Sequence, residues 1–389
     1  MIKILSVIVL ISASLFSQNF EQFLDSAIKN SPYLKASHLG IQQAKESGDI
    51  LKRYQNPNLE LEVSNFSSDI VGDKLGYRAS YSQPIRLWGI ANAKDELSLS
   101  MKKSATSLNS LNIAKFKKDI SLFYTVYANQ KQLLILGNEE LKIAKKIFDI
   151  SKQRNDAGTI SRVELLQAEV AYEMVSIRIK TLKLSTQDSY YKLLRSAGIN
   201  KEIDLDFKHE FNLVNKLNDK SNPDLQYIKS NQKKALAQAD VNSNSIEWMS
   251  LVAEIEVEPD QDIMRVGASI PLAIFNNRSQ EQRISQLDAK KSELIFDNEN
   301  AKLNIMMLRL TKQRDLLLKL KSQNENTLIN QIKLLKMFEE GYKIASVNLL
   351  QLQNIKNNVI QTKENIINLI TALDKNTINQ NYIAGAYND

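Results

Sequence analysis

The chain has 389 residues, a formal net charge of +7, only 11 glycines and 6 prolines, and no cysteine. So few breakers allow long helices, and 7% aromatics suit elongated helical packing better than a large compact core. The lack of cysteine excludes disulfides, thiolate metal sites, thiol nucleophiles and a lipid-modified N-terminal cysteine. The lysines are interspersed with acidic residues along helical stretches, which describes solvated helix faces rather than a nucleic-acid surface.

At the N-terminus, Lys3 precedes the apolar run Ile4 to Ile11 and the small residues Ser12, Ala13, Ser14 and Ser17. This predicts a secretory signal peptide over residues 1–17, cleaved after Ser17, with a retained N-terminal anchor as the alternative. The run is shorter than the roughly 20 residues a spanning helix needs. No other long apolar run follows, so a membrane crossing by the mature chain is expected to take the form of a β-barrel.

The rest of the chain reads as two copies of one plan, residues 18–221 and 222–389. Pro84 and Pro271 stand 187 positions apart, and so do Gly158 and Ala345; Pro32 and Pro223 are 191 apart. The implied unit is helix, strand, strand, long helix, helix.

Four segments alternate with period two, predicting strands near 58–66, 76–85, 248–258 and 263–272. Leu59, Leu61 and Val63 oppose Glu60 and Glu62; Tyr77, Ala79 and Tyr81 oppose Arg78 and Ser80. In the second half Leu251, Ala253, Ile255 and Val257 oppose Glu254 and Glu256, and Met264 and Val266 oppose Arg265. Polar turns at Ser67-Ser68-Asp69 with Gly72-Asp73-Lys74, and at Pro259-Asp260-Gln261-Asp262, join each pair. Each segment is close to the 9–11 residues that cross a bilayer on a tilt. A face of Glu60, Glu62, Arg78, Glu254, Glu256 and Arg265 suits a wet barrel lumen. The smallest barrels have about eight strands, so four strands require several chains to share one barrel; three copies give twelve.

Between the strand pairs, Ile113, Ile120, Tyr127, Leu134, Leu141 and Phe148 fall at seven-residue spacing. So do Val163, Val170, Ile177, Leu184 and Tyr191, and later Leu352, Val359, Ile366 and Leu373. Sustained heptads predict supercoiled packing of helices about 65 residues, or roughly 100 Å, long. Gly158 is placed to end one helix in the left-handed region. Ser161 with Glu164 then forms a capping box, and Asn348 with Gln351 is its counterpart. His38, on the first helix, and His209, in the polar stretch between the halves, have no ligand set around them. No phosphate loop, metal-spaced cluster or nucleophile elbow occurs, and Glu254, Glu256 and Glu258 read as one polar strand face.

This pattern resembles the TolC-like outer membrane efflux proteins over essentially the whole mature chain. The residues that carry the resemblance are Ser82-Gln83-Pro84-Ile85 before a long helix, the run from Gly158 to Ala168, and the run from Glu340 to Leu350. The resemblance implies a mainly α fold with long helical hairpins in an α-barrel. It also implies four transmembrane strands per chain that complete a 12-stranded β-barrel in a homotrimer. It further implies an outer-membrane channel reaching into the periplasm, with no catalysis and no cofactor. Its partners would be outer-membrane lipid, a periplasmic adaptor and an inner-membrane pump, taken as proton-driven, exporting small molecules or metal ions.

By position, Gly158, Thr159, Ile160, Ser161, Ala345, Ser346, Val347 and Asn348 are the adaptor-contacting tips. Glu164, Gln351 and Asn354 are the entrance-gate positions. Two departures stand out. Ala345 sits where the family usually has glycine, so that turn is expected to close without left-handed freedom. Gln351 and Asn354 occupy positions where the family often has acidic residues. The Gln83-Pro84-Ile85 stretch is similar to the branch serving heavy-metal pumps. The alternatives are a type I protein secretion duct with the same fold, and a secreted structural coiled-coil protein.

Overall fold

The computed structural model describes residues 18–67, 72–214 and 222–388. The expected signal peptide, part of the first hairpin turn and the junction before Asn222 therefore lie outside the described residues. The elements run α1 (Phe20–Asn30), α2 (Pro32–Lys52), β1 (Asn58–Phe66), β2 (Lys74–Arg86), α3 (Trp88–Asp156) and α4 (Arg162–Ala197). They continue with α5 (Pro223–Ser243), β3 (Trp248–Val257), β4 (Asp262–Ser269), α6 (Ser279–Lys343) and α7 (Leu349–Ile383).

Local chemistry sets most of the boundaries. Asn19 and Gln22 form a capping box that starts α1. Ser31 caps α2 with Pro32 at its first turn, and Asn222 caps α5 with Pro223 in the same place. Gly198, at φ 70°, closes α4. The first half therefore holds one helix more than the expected unit: Pro32 cannot continue a helix that Asn30 ends, so α1 stands apart and His38 falls on α2.

The four strands form one antiparallel sheet in the order β1-β2-β3-β4. Three predicted strands match to within two residues. The fourth ends at Ser269 rather than 272, because Pro271 has no N–H to offer β3. Pro84, by contrast, stays within β2. It pairs with Ser250 beyond the last β1 partner, Asn58, so the β1–β2 ladder is complete without it.

The helices pack as α3 with α4 and α6 with α7, and α3 also touches α2, α5 and α7. The core is a series of clusters strung along them. Phe20, Phe23, Ile120, Tyr124, Tyr127, Leu193 and Leu205 join α1, α3, α4 and the segment after it. His209 belongs there too: its ring lies 4.6 Å from Phe20 and 4.7 Å from Phe211, between centroids. Burial among these rings lowers its pKa. Nearer the turn ends, Ile147, Ala168, Leu335, Tyr342, Leu349, Leu352 and Val359 form a second cluster.

The heptad readings divide. Ile120 and Tyr127 on α3, and Leu352 and Val359 on α7, are buried within the chain. Val163, Val170, Ile177, Leu184 and Tyr191 on α4 are 46–67% exposed. That stripe faces away from α3, which α4 meets instead through Leu165, Ala168, Val175, Ile179 and Leu193. Spacing alone could not say which partner a seam has.

Candidate functional site

The register of the sheet gathers all six predicted lumen residues. Glu62 stands opposite Arg78, and Arg78 opposite Glu256. Glu254 stands opposite Arg265, and Glu60 lies two positions from Glu62 on the same face. Arg78 pairs with Glu62 and lies 3.9 Å from Glu60. Arg265 bridges Glu254 and Glu256. Side chains two residues apart on a strand share a face, so four carboxylates and two guanidiniums form a single charged ladder.

The other face is apolar through its middle, with Asn65, Gln83 and Asp262 toward its ends. Leu59, Tyr81, Ala253 and Val266 run across it in one row, and Leu61, Ala79, Ile255 and Met264 in the next. The large side chains of these two rows are 45% exposed at Tyr81 to 82% at Val266. Water does not favour such a surface, and both outer strands, β1 and β4, present open edges.

At the junction with the helices, Arg86 donates to the carbonyls of Leu51, Lys52 and Arg53, closing the C-terminal end of α2. Its guanidinium also lies 4.6 Å from the Trp248 ring and 5.3 Å from that of Tyr54, and pairs with Glu247.

The opposite ends of the helices carry the two predicted tips, which share one hydrogen-bond pattern. The N–H of Thr159 donates to Arg154 O (2.8 Å), and that of Ser346, 187 positions later, donates to Gly341 O (2.9 Å). Ala157 to Gln153 and Ile344 to Glu340 repeat the same spacing. Gly158 lies at φ 69° and Ala345 at φ 63°. The expectation that the second turn would avoid the left-handed region is thus corrected: alanine adopts it. Gly341 stands four residues before it, where a Cβ would come within 2.6 Å of Val347 Cγ2.

Both capping boxes form, with Glu164 accepting from Ser161 N and Gln351 from Asn348 N. Those two gate candidates are thus engaged in starting their helices, while Asn354 is exposed on α7. Gly158, Thr159, Ser161, Ala345, Ser346 and Asn348 are exposed; Ile160 and Val347 are half-buried.

Sequence reasoning missed the contacts that tie the hairpins together. The Tyr342 hydroxyl hydrogen-bonds Ser151 Oγ at 2.8 Å, and Arg154 donates to Tyr342 O at 3.0 Å while stacking on its ring. Further along, Lys356 Nζ on α7 lies 3.0 Å from Glu140 Oε1 on α3. Arg178 on α4 holds the other carboxylate oxygen at 3.0 Å and also pairs with Glu364. A charge at a core-facing helix position was the available signal, but its partner lies more than 200 residues away. Among the described residues, no group of three or more His, Asp or Glu could hold a metal ion, and no helix is long and apolar enough to cross a membrane.

Residues 23–199, somewhat under half of the chain, match the family model described as outer membrane efflux protein. No curated protein sequence matches the chain. Among solved structures the chain resembles CusC, described in connection with transmembrane channel formation, with TM-score 0.78 and 14% identity over 94% of this chain and 91% of that one. It resembles the CmeC outer membrane channel of Campylobacter jejuni with TM-score 0.75 and 14% identity, over 94% and 85%. It resembles the MtrE outer membrane channel of Neisseria gonorrhoeae, crystallised in its open state, with TM-score 0.75 and 13% identity, over 94% and 88%. At such identities the likeness is one of fold. Residues 23–199 thus resemble outer membrane efflux proteins, and the fold of the whole chain is that of solved outer membrane channels.

Proposed function

We propose that three copies of this chain close one twelve-stranded barrel in the outer membrane and continue as a helical duct across the periplasm. The duct passively conducts small molecules or metal ions outward. The sheet carries this reading: four strands, one face apolar and exposed, the other charged, and two open edges. Lipid accepts the apolar face but not the edges, and only closure with further copies removes them. β1 and β3, at 9 and 10 residues, have the length for a tilted crossing. The exposed α4 heptad, together with Leu287, Leu294 and Leu308 on α6, supplies apolar seams for neighbouring copies along the helical section.

The 69 residues of α3 extend about 100 Å at ~1.5 Å per residue, which suits a passage across the periplasm. The exposed turns around Gly158 and Ala345, at the far end from the sheet, are where a periplasmic adaptor would dock. Energy would come from an inner-membrane pump, taken as proton-driven. The reading is tested by the native mass of protein extracted in mild detergent from isolated outer membranes. A mass of three mature chains is expected. A monomer recovered from the soluble periplasm would refute the shared barrel.

A further inference from the structure

Because the apolar face of the sheet must meet lipid, a solute in the shared barrel meets the charged ladder. Resting on the channel reading above, we propose that Glu60, Glu62, Glu254 and Glu256 make the β-barrel the cation-selecting section of the duct. Small inorganic and organic cations are then the solutes it passes best.

The charges on that face do not balance. Arg78 sits between Glu62 and Glu256, and Arg265 is held by Glu254 and Glu256, so each guanidinium is already neutralised. Four carboxylates against two guanidiniums leave two negative charges per chain. At the turn end, Lys74 and Glu258 fall on the same face by alternation and cancel. Glu60 contributes most openly: its side chain is 60% exposed and Arg78 only reaches to 3.9 Å.

The helical tips supply no comparable field. Between Ala345 and Asn354 there is no charged residue, and between Ala157 and Glu164 the one acid is offset by Arg162. Glu164 is in addition committed to its capping box. Fixed charges on a wall backed by lipid direct their field into the water beside them. At about 0.1 M salt that field reaches about 10 Å, and at about 1 M only about 3 Å.

The test is the K⁺ to Cl⁻ permeability ratio of purified protein in a planar bilayer of zwitterionic lipid under a KCl gradient. A ratio well above unity is expected at about 0.1 M, falling toward unity at about 1 M. Glu60→Gln with Glu254→Gln should lower it by about twofold or more, with native mass and channel insertion unchanged. Arg78→Gln should raise it, and Glu164→Gln at the tip should leave it unchanged. A wild-type ratio of unity, or one indifferent to the barrel pair, would overturn the proposal. So would a ratio abolished by Glu164→Gln. Trimers that insert but conduct nothing would instead refute the channel reading, and this inference with it.

Discussion

Among the described residues, Glu140 and Lys356 are the one ion pair with both side chains below a tenth exposed, at 6% and 7%. They lie on α3 and α7, sixteen residues or about 24 Å before the end of α3 at ~1.5 Å per residue, and so fasten one hairpin to the other. The two single deletions should differ. Glu140→Leu leaves the Lys356 ammonium buried without an anion, which costs about 3–5 kcal/mol. Lys356→Met leaves Glu140 still bound by Arg178 at 3.0 Å, so only one charge-assisted hydrogen bond is lost, about 1.5–3 kcal/mol.

The double variant removes both charges from the interior, and Arg178 keeps Glu364. Its stability should lie within about 1 kcal/mol of the parent. Guanidinium unfolding of the detergent-solubilised protein, followed by helical circular dichroism, measures all four corners of the cycle. If the two single losses simply add in the double variant, the pair is not coupled and the argument from burial fails.

Three further outcomes are expected. Ala345→Gly relieves a left-handed alanine that costs about 1–2 kcal/mol, against about 0.5–1 kcal/mol of added backbone freedom. The variant should therefore unfold at slightly higher denaturant, and a lower midpoint would show the turn to be unstrained. Ile177→Asp places a charge in the exposed α4 stripe and should abolish the trimer in native mass measurement while leaving the helical signal intact; an unchanged trimer would exclude that stripe from the seam. Asp374, with Arg314 opposing and Glu210 reinforcing the effect of burial, is pushed up to about 6 from its ordinary 3.8. The folded chain then holds a proton that the unfolded chain releases between about 4 and 6, so this group adds stability as pH falls through that window. Asp374→Asn should remove that part of the pH dependence of unfolding, and an identical profile in the variant would discount the buried carboxyl.

Local signals in the sequence were faithful wherever the physics is local. Period-two alternation found β1, β2 and β3 because a strand's two faces are written into consecutive residues. The capping boxes at Ser161 and Asn348 form as read, since each needs only side chains three residues apart. Pro271 was over-read as strand because the same Ser-x-Pro pattern is tolerated at Pro84, and what differs is where the neighbouring strand stops. Ala345 was expected to close its turn without the left-handed region, and only the folded turn shows that it adopts it, at φ 63°.

By itself the sequence determined which side chains share a face, where helices begin, and that four strands are too few to close a barrel. These follow from backbone periods and from counting. Only the tertiary structure decided which seam is internal, with Val359 buried and Ile177 exposed from the same heptad grammar. Only it joined Glu140 to Lys356, and Arg86 to the end of α2. Such pairings depend on how distant helices and strands come together, and no short-range period along the chain carries that information.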